Sequence, residues 1–131
     1  MTFIPQQVAG PTLILILFLF LLKHFVADFV LQPGWMAKGK AALHGWRIPL
    51  SLHAGIHGLL TYTLILFLVP SFWWLAIVDF AVHFAIDRSK ALLSLRCNAT
   101  SQQCVFWWLF GADQMLHQLT HLVFALILAS V

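Results

Sequence analysis

Glutamate is absent from this 131-residue chain, and its four acidic residues are all aspartates lying within or at the ends of apolar segments. No acid is left over to solubilise a loop. Charged residues make up 8% of the chain and hydrophobic ones 62%, with a mean hydropathy of +0.94. So little charge excludes a separate soluble domain and is the composition of an integral membrane protein. Cysteine is scarce as well: Cys97 and Cys104 fall in a loop expected to face the cytoplasm, which argues against a structural disulfide, and without a nearby histidine pair they make a weak zinc motif. Serine chemistry is also missing, since Ser51 and Ser89 have no triad context. Seven Lys and Arg give a net charge of +3. Most sit near segment ends, so the basic excess reads as topology and contact with lipid headgroups, and nucleic acid is not an expected partner.

Long apolar runs are what the chain has instead. Four spans are expected, at about 11–31, 49–69, 72–95 and 105–130, each about 20 residues or longer and so able to cross a hydrocarbon core of ~30 Å. Proline marks the breaks at Pro33, Pro49 and Pro70. The run that begins at Thr12 lacks a charged leader and a small-residue cleavage site and reads as a retained first span. The loop at 33–48 carries Lys38, Lys40 and Arg47, the region after Asp87 carries Arg88, Lys90 and Arg96, and the Pro70-Ser71 turn carries no charge. The positive-inside rule then makes the two basic regions cytoplasmic and leaves both termini on the outer, periplasmic side. Trp35, Trp46, Trp107 and Trp108 fall at the inner interface and Trp73 and Trp74 at the outer one. Residues 34–46 read either as a short interfacial helix or as an ordinary connecting loop. The expected fold is an all-α integral membrane four-helix bundle in a single domain, 1–131. Asn98-Ala99-Thr100 has the form of a glycosylation sequon, but on the wrong side, and is read as chance.

Into these runs the sequence sets ten ionisable side chains: His24 and Asp28; His53 and His57; Asp79, His83 and Asp87; and Asp113, His117 and His121. Neighbours within each set are four residues apart and share a helix face. A charge at the bilayer centre costs roughly 2.5–3.5 kcal/mol on the lenient insertion scale, and such residues usually mark a pathway, relay or binding site. Counting depth along antiparallel spans brings most of them to one layer in the cytoplasmic half. Asp79 and His121 lie deeper at matching heights, as supporting residues that pair or begin a proton path. Ala54, Gly55 and Gly58 around the histidines of the second span are expected to allow close helix approach.

Histidine and aspartate from several helices are the ligands a transition metal takes, zinc first among them, and the layer is large enough for two ions. A catalytic zinc site lowers the pKa of water toward neutrality. The expected ligand pool is His24, Asp28, His83, Asp87, Asp113 and His117, with His53 or His57 as a further ligand or general acid/base. Gln32 and Gln114 are expected to orient water or ligand. Arg88, Lys90 and Lys40 form a cationic rim for an anionic headgroup; the plain alternative is an interfacial anchor in which Lys90 pairs with Asp87.

His24-x-x-x-Asp28-Phe29-x-x-Gln32, Lys40, His53, His83-x-x-x-Asp87-x-x-Lys90 and Asp113-Gln114-x-x-His117 together resemble the small bacterial membrane proteins of domain-of-unknown-function family 3307. The resemblance runs from about Leu19 to about Leu122 and implies four spans, a bacterial inner membrane and importance for His24, Asp28, Gln32, His53, His83, Asp87, Lys90, Asp113, Gln114 and His117, while implying no activity. His57, Asp79 and His121 stand outside its pattern. The site also looks loosely similar to those of metal-dependent membrane hydrolases, an analogy only. The function expected from the residues is a metal-dependent hydrolase acting on a lipid-like or phosphate-containing substrate at the cytoplasmic leaflet. The alternatives are a transporter or channel component for protons or a divalent cation, oligomeric because one copy has few spans, and a structural subunit whose polar layer fixes helix register.

Overall fold

A computed structural model describes residues 8–131; the first seven residues of the expected 1–131 domain lie outside the described ones. Among the described residues the fold is all-α: α1 (Gly10–Phe25, continuing as a π-helical turn Val26–Val30), α2 (Gly34–Lys40), α3 (Arg47–Leu68), α4 (Leu75–Arg96) and α5 (Cys104–Leu128). Prolines open the elements where a missing N–H costs nothing: Pro11 in the first turn of α1, Pro33 before α2, and Pro70 in the 3-10 turn Pro70–Phe72 between α3 and α4. At the other end of α4, Asn98 takes a left-handed φ of 46°, a conformation its short polar side chain tolerates, and the chain turns toward α5.

The helix boundaries match the expected segments to within a few residues, with two adjustments. Of the two readings for residues 34–46, each holds for part: a helix runs over Gly34–Lys40, and the rest is a turn in which Gly45 takes φ +70° before α3. The third expected span, α4, begins as a helix at Leu75 rather than Phe72, since the 3-10 turn takes up the first residues.

Side-chain pairs along the helices fix their directions. Thr61 meets Asp79, His57 stacks on His83 and His53 meets Asp87, so α3 and α4 run antiparallel. Lys90 faces Asp113 and Asp79 faces His121, which makes α4 and α5 antiparallel too. Lys23 reaches His121 and Phe20 packs on Phe124, while Asp28 meets His57, closing α1 against both α5 and α3. The four long helices therefore form an up-down ring, with α2 lying across α3 and α4 at one end. Gly58 permits the close α3 and α4 contact, since a Cβ there would sit 3.2 Å from both the Ala76 carbonyl and the Phe80 Cβ. Gly55, expected to do the same, has open space around it.

The interior is divided in two. The half remote from α2 is apolar and holds Ile16, Phe20, Ile65, Leu75, Phe124 and Leu128. The half toward α2 buries Lys23, six histidines and the aspartates Asp79, Asp87 and Asp113, with Asp28 only partly covered. Outside, the surface is apolar: Phe67 is 85% exposed, Trp108 73%, Ile48 71% and Ile14 70%. Polar groups inside and large apolar groups outside reverse the usual arrangement of a protein in water. Two helical stretches, Gly10–Val30 and Arg47–Leu68, are long and apolar enough to cross a membrane. The other two long helices, of 22 and 25 residues, have the length but carry more of the polar residues.

Candidate functional site

Spacing of four puts each polar set on one stripe of its helix, and the ring turns all four stripes inward. Asp28 is a hub for three histidines. Its carboxylate lies 3.1 Å from His24 Nε2, 3.3 Å from His53 Nε2 and 3.0 Å from His57 Nε2. It stands on the π-helical turn, where Leu31 N–H donates to the Val26 carbonyl at 2.9 Å, and Gln32 ties down the same turn by donating to the Asp28 carbonyl at 3.0 Å.

Asp79 is the deeper hub. One of its oxygens accepts from Lys23 Nζ and from Thr61 Oγ1, both at 2.6 Å, and the other lies 3.2 Å from His83 Nδ1 and 3.6 Å from His121 Nε2. Asp87 and Asp113 form a third group with His117. Asp87 accepts from Lys40 at 2.8 Å, lies 3.3 Å from His53 and is 3.7 Å from His117 Nε2, whose Nδ1 is bonded to the Asp113 carbonyl at 2.9 Å. Neighbouring imidazoles join the groups: the His83 ring stacks on that of His57 with centroids 3.7 Å apart and lies tilted 4.0 Å from that of His117, and His24 lies 5.3 to 5.8 Å from four other histidine rings.

Asp79 and His121 are thus continuous with the layer rather than set apart from it, with His83 as the bridge. Lys90 does not pair with Asp87: Lys40 takes that role, and Lys90 lies 3.8 Å from Asp113. Arg88 stacks on the Trp46 indole at 3.9 Å and donates to the Ala42 carbonyl, so it fastens the turn after α2. Gln114 reaches His24 Nε2 at 3.3 Å and donates to Asp113 at 3.2 Å. Cys97 and Cys104 are exposed free thiols.

Two residues of the site, Lys23 and Thr61, are not among those expected from the sequence. Lys23 is buried, but the positions four away on its helix, Leu19 and Ala27, are apolar, so no stripe announces it. The available signal is a lysine inside a long apolar run. Thr61 continues the His53 and His57 stripe by one more turn and carries no charge to draw notice.

Four sets of side chains bring potential ligand atoms within 4.8 Å of one another: His24, His57 and His83; Asp28, His53 and His57; Asp79, His83 and His121; and Asp87, Asp113 and His117. The donor chemistry fits a cation in two ways. Each of the six buried imidazoles sets one ring nitrogen beside a polar neighbour and leaves the other, buried, without a hydrogen bond among the described residues. A nitrogen held from behind by a carboxylate or carbonyl, with its partner nitrogen bare, is how metal-bound histidines are oriented. Second, Asp79, Asp87 and Asp113 each have a lysine beside them, whereas Asp28 faces imidazoles only. Asp28 is only partly covered, and its partners are three imidazoles with no lysine among them, an arrangement that a bound cation would complete.

Among known proteins, the family model described as Protein of unknown function (DUF3307) matches residues 16–131. No curated protein and no solved structure matches the chain.

Proposed function

The chain belongs to the DUF3307 family, whose description names no reaction, and from its site we propose a four-span membrane protein that holds a divalent metal, zinc by its donor set, and hydrolyses a lipid-like or phosphate-containing substrate. The apolar exterior around a polar core supports the membrane setting, and the two basic ends of the loops support a cytoplasmic position for the α2 end. Localisation in a bacterial inner membrane follows from this reading.

One observation carries the metal: three imidazoles, His24, His57 and His83, gather with one nitrogen each beside Asp28 or Asp79 and the other bare. Those three histidines form the preferred ligand set, with Asp28 orienting His24 and His57, and Asp79 orienting His83. The wider pool of Asp87, Asp113 and His117 then serves proton transfer, and His53, between Asp28 and Asp87, links the two. When bound, the ion supplies Lewis acidity and lowers the pKa of water toward neutrality. Lys40 and Lys90 receive an anionic group at the rim, and Asp87 with His117 accepts the proton that hydrolysis releases.

The interior favours an enzyme over a transporter. Among the described residues, buried polar side chains run from the α2 end as far as Asp79 and His121, and the half beyond them is packed with Phe20, Phe124 and Ile65 rather than lined by polar groups. Elemental analysis of protein purified without chelators after growth with zinc is the test. About one ion per chain is expected in the wild type and in Lys90→Ala, with loss in His57→Ala and His83→Ala. Wild type without metal would remove the reading's main support.

A further inference from the structure

We propose, building on the membrane reading above, that the site takes an anionic lipid whose phosphate sits between Lys40 and Lys90 and whose acyl chain lies in a crevice between α4 and α5. Two cavities meet at Lys90. One, of about 270 Å³, is lined by Lys40, Asp87, Lys90 and Phe106 and lies against α2. The other, of about 210 Å³, opens sideways between α4 and α5 and is walled by Ala85, Ser89 and Leu93 on one side and Ala112 and Leu116 on the other, with Lys90 and Asp113 as its polar edge.

The crevice has a sequence cause. Ala85 and Ser89 stand one turn apart on the same face of α4, and Ala112 opposes them, so the space that larger side chains would fill stays open. Its walls are otherwise apolar and it opens on the outer surface of the bundle, where a membrane presents acyl chains. The charge at its end fits a phosphate. Lys90 Nζ is 3.8 Å from the Asp113 carboxylate, too far for a hydrogen bond, and donates to no group among the described residues. It also lies over the Phe110 ring at 5.2 Å, and its donors hold no hydrogen bond that a ligand would have to displace. Lys40 supplies a second ammonium in the adjoining cavity, where it now bonds Asp87.

A lipid held this way has its headgroup beside Asp87, which lies 3.7 Å from His117, whose ring centroid is 4.0 Å from that of His83. The ester to be cut is thus brought to the edge of the histidine cluster while the chain stays in the lipid phase. A free phosphate would use the same lysines and leave the crevice unused.

Native mass spectrometry of the detergent-purified full chain distinguishes these sources, with phosphatidic acid, diacylglycerol and inorganic phosphate as the three probes. Phosphatidic acid is expected to bind at least tenfold more tightly than either of the others. Ala112→Trp, which fills the crevice, is expected to weaken phosphatidic acid binding about tenfold, and Ser89→Leu does the same from the facing helix should the first variant fail to fold. Lys90→Ala is expected to remove the preference for phosphatidic acid over diacylglycerol. Equal binding of inorganic phosphate, or undiminished lipid binding in the folded crevice variants, overturns the proposal. Metal content measured on the same samples separates the two readings: lost lipid selectivity with bound metal overturns this inference alone, and lipid binding without metal overturns the metal site alone.

Discussion

Lys23 shows how much a single side chain holds in this core. Its ammonium and the Asp79 carboxylate are both almost fully buried at 2.6 Å, with Thr61 on the same oxygen. Breaking such a pair from one side leaves an uncompensated charge and costs about 3–5 kcal/mol, whereas removing both partners costs far less. Lys23→Met should therefore lower unfolding stability in detergent by that amount, and Lys23→Met combined with Asp79→Asn should recover most of it; a double-mutant cycle read by chemical denaturation measures the coupling. The participation of His and Asp on all four long helices is legible from spacing alone, because a polar residue repeated every fourth position in an apolar run has few uses besides a shared interior site. Partner choice is not legible. That Asp87 takes Lys40 rather than Lys90 depends on α2 folding back across α3 and α4, a contact 47 residues apart in the chain.

At the scale of the helix, composition marks where elements run and proline marks where they stop, so four long segments follow from the sequence to within a few residues. What hydropathy does not encode is local winding. The π-helical turn at Val26–Val30 and the 3-10 turn at Pro70–Phe72 differ from an ordinary helix by where one N–H finds its carbonyl, a difference that hydropathy does not carry. The two glycines of α3 make the same point, since only Gly58 lies against its neighbour. Gly58→Leu is expected to push α4 away and cost about 1–3 kcal/mol, while Gly55→Ala should be neutral or stabilising by up to ~1 kcal/mol. Thermal unfolding of the two variants side by side checks the contrast.

For the whole molecule, a polar half stacked on an apolar half makes orientation a functional matter. Cys97 and Cys104, exposed near the α4 to α5 turn, report it directly. With the basic loops inside, a membrane-impermeant maleimide should label them in inverted vesicles and leave intact spheroplasts unlabelled; labelling of intact cells would reverse the orientation. The short link between α3 and α4 also bears on how the chain is made. Helix α4 carries Asp79, His83, Asp87, Arg88 and Lys90 within 22 residues, a poor sequence for lone insertion into lipid. Its first partners, Thr61, His57 and His53, lie on α3 and leave the ribosome ahead of it. Under the proposed four-span reading, insertion of the pair as one hairpin would let those groups be matched before either helix meets hydrocarbon alone, so lengthening the link is expected to lower membrane yield even where the finished bundle would tolerate it.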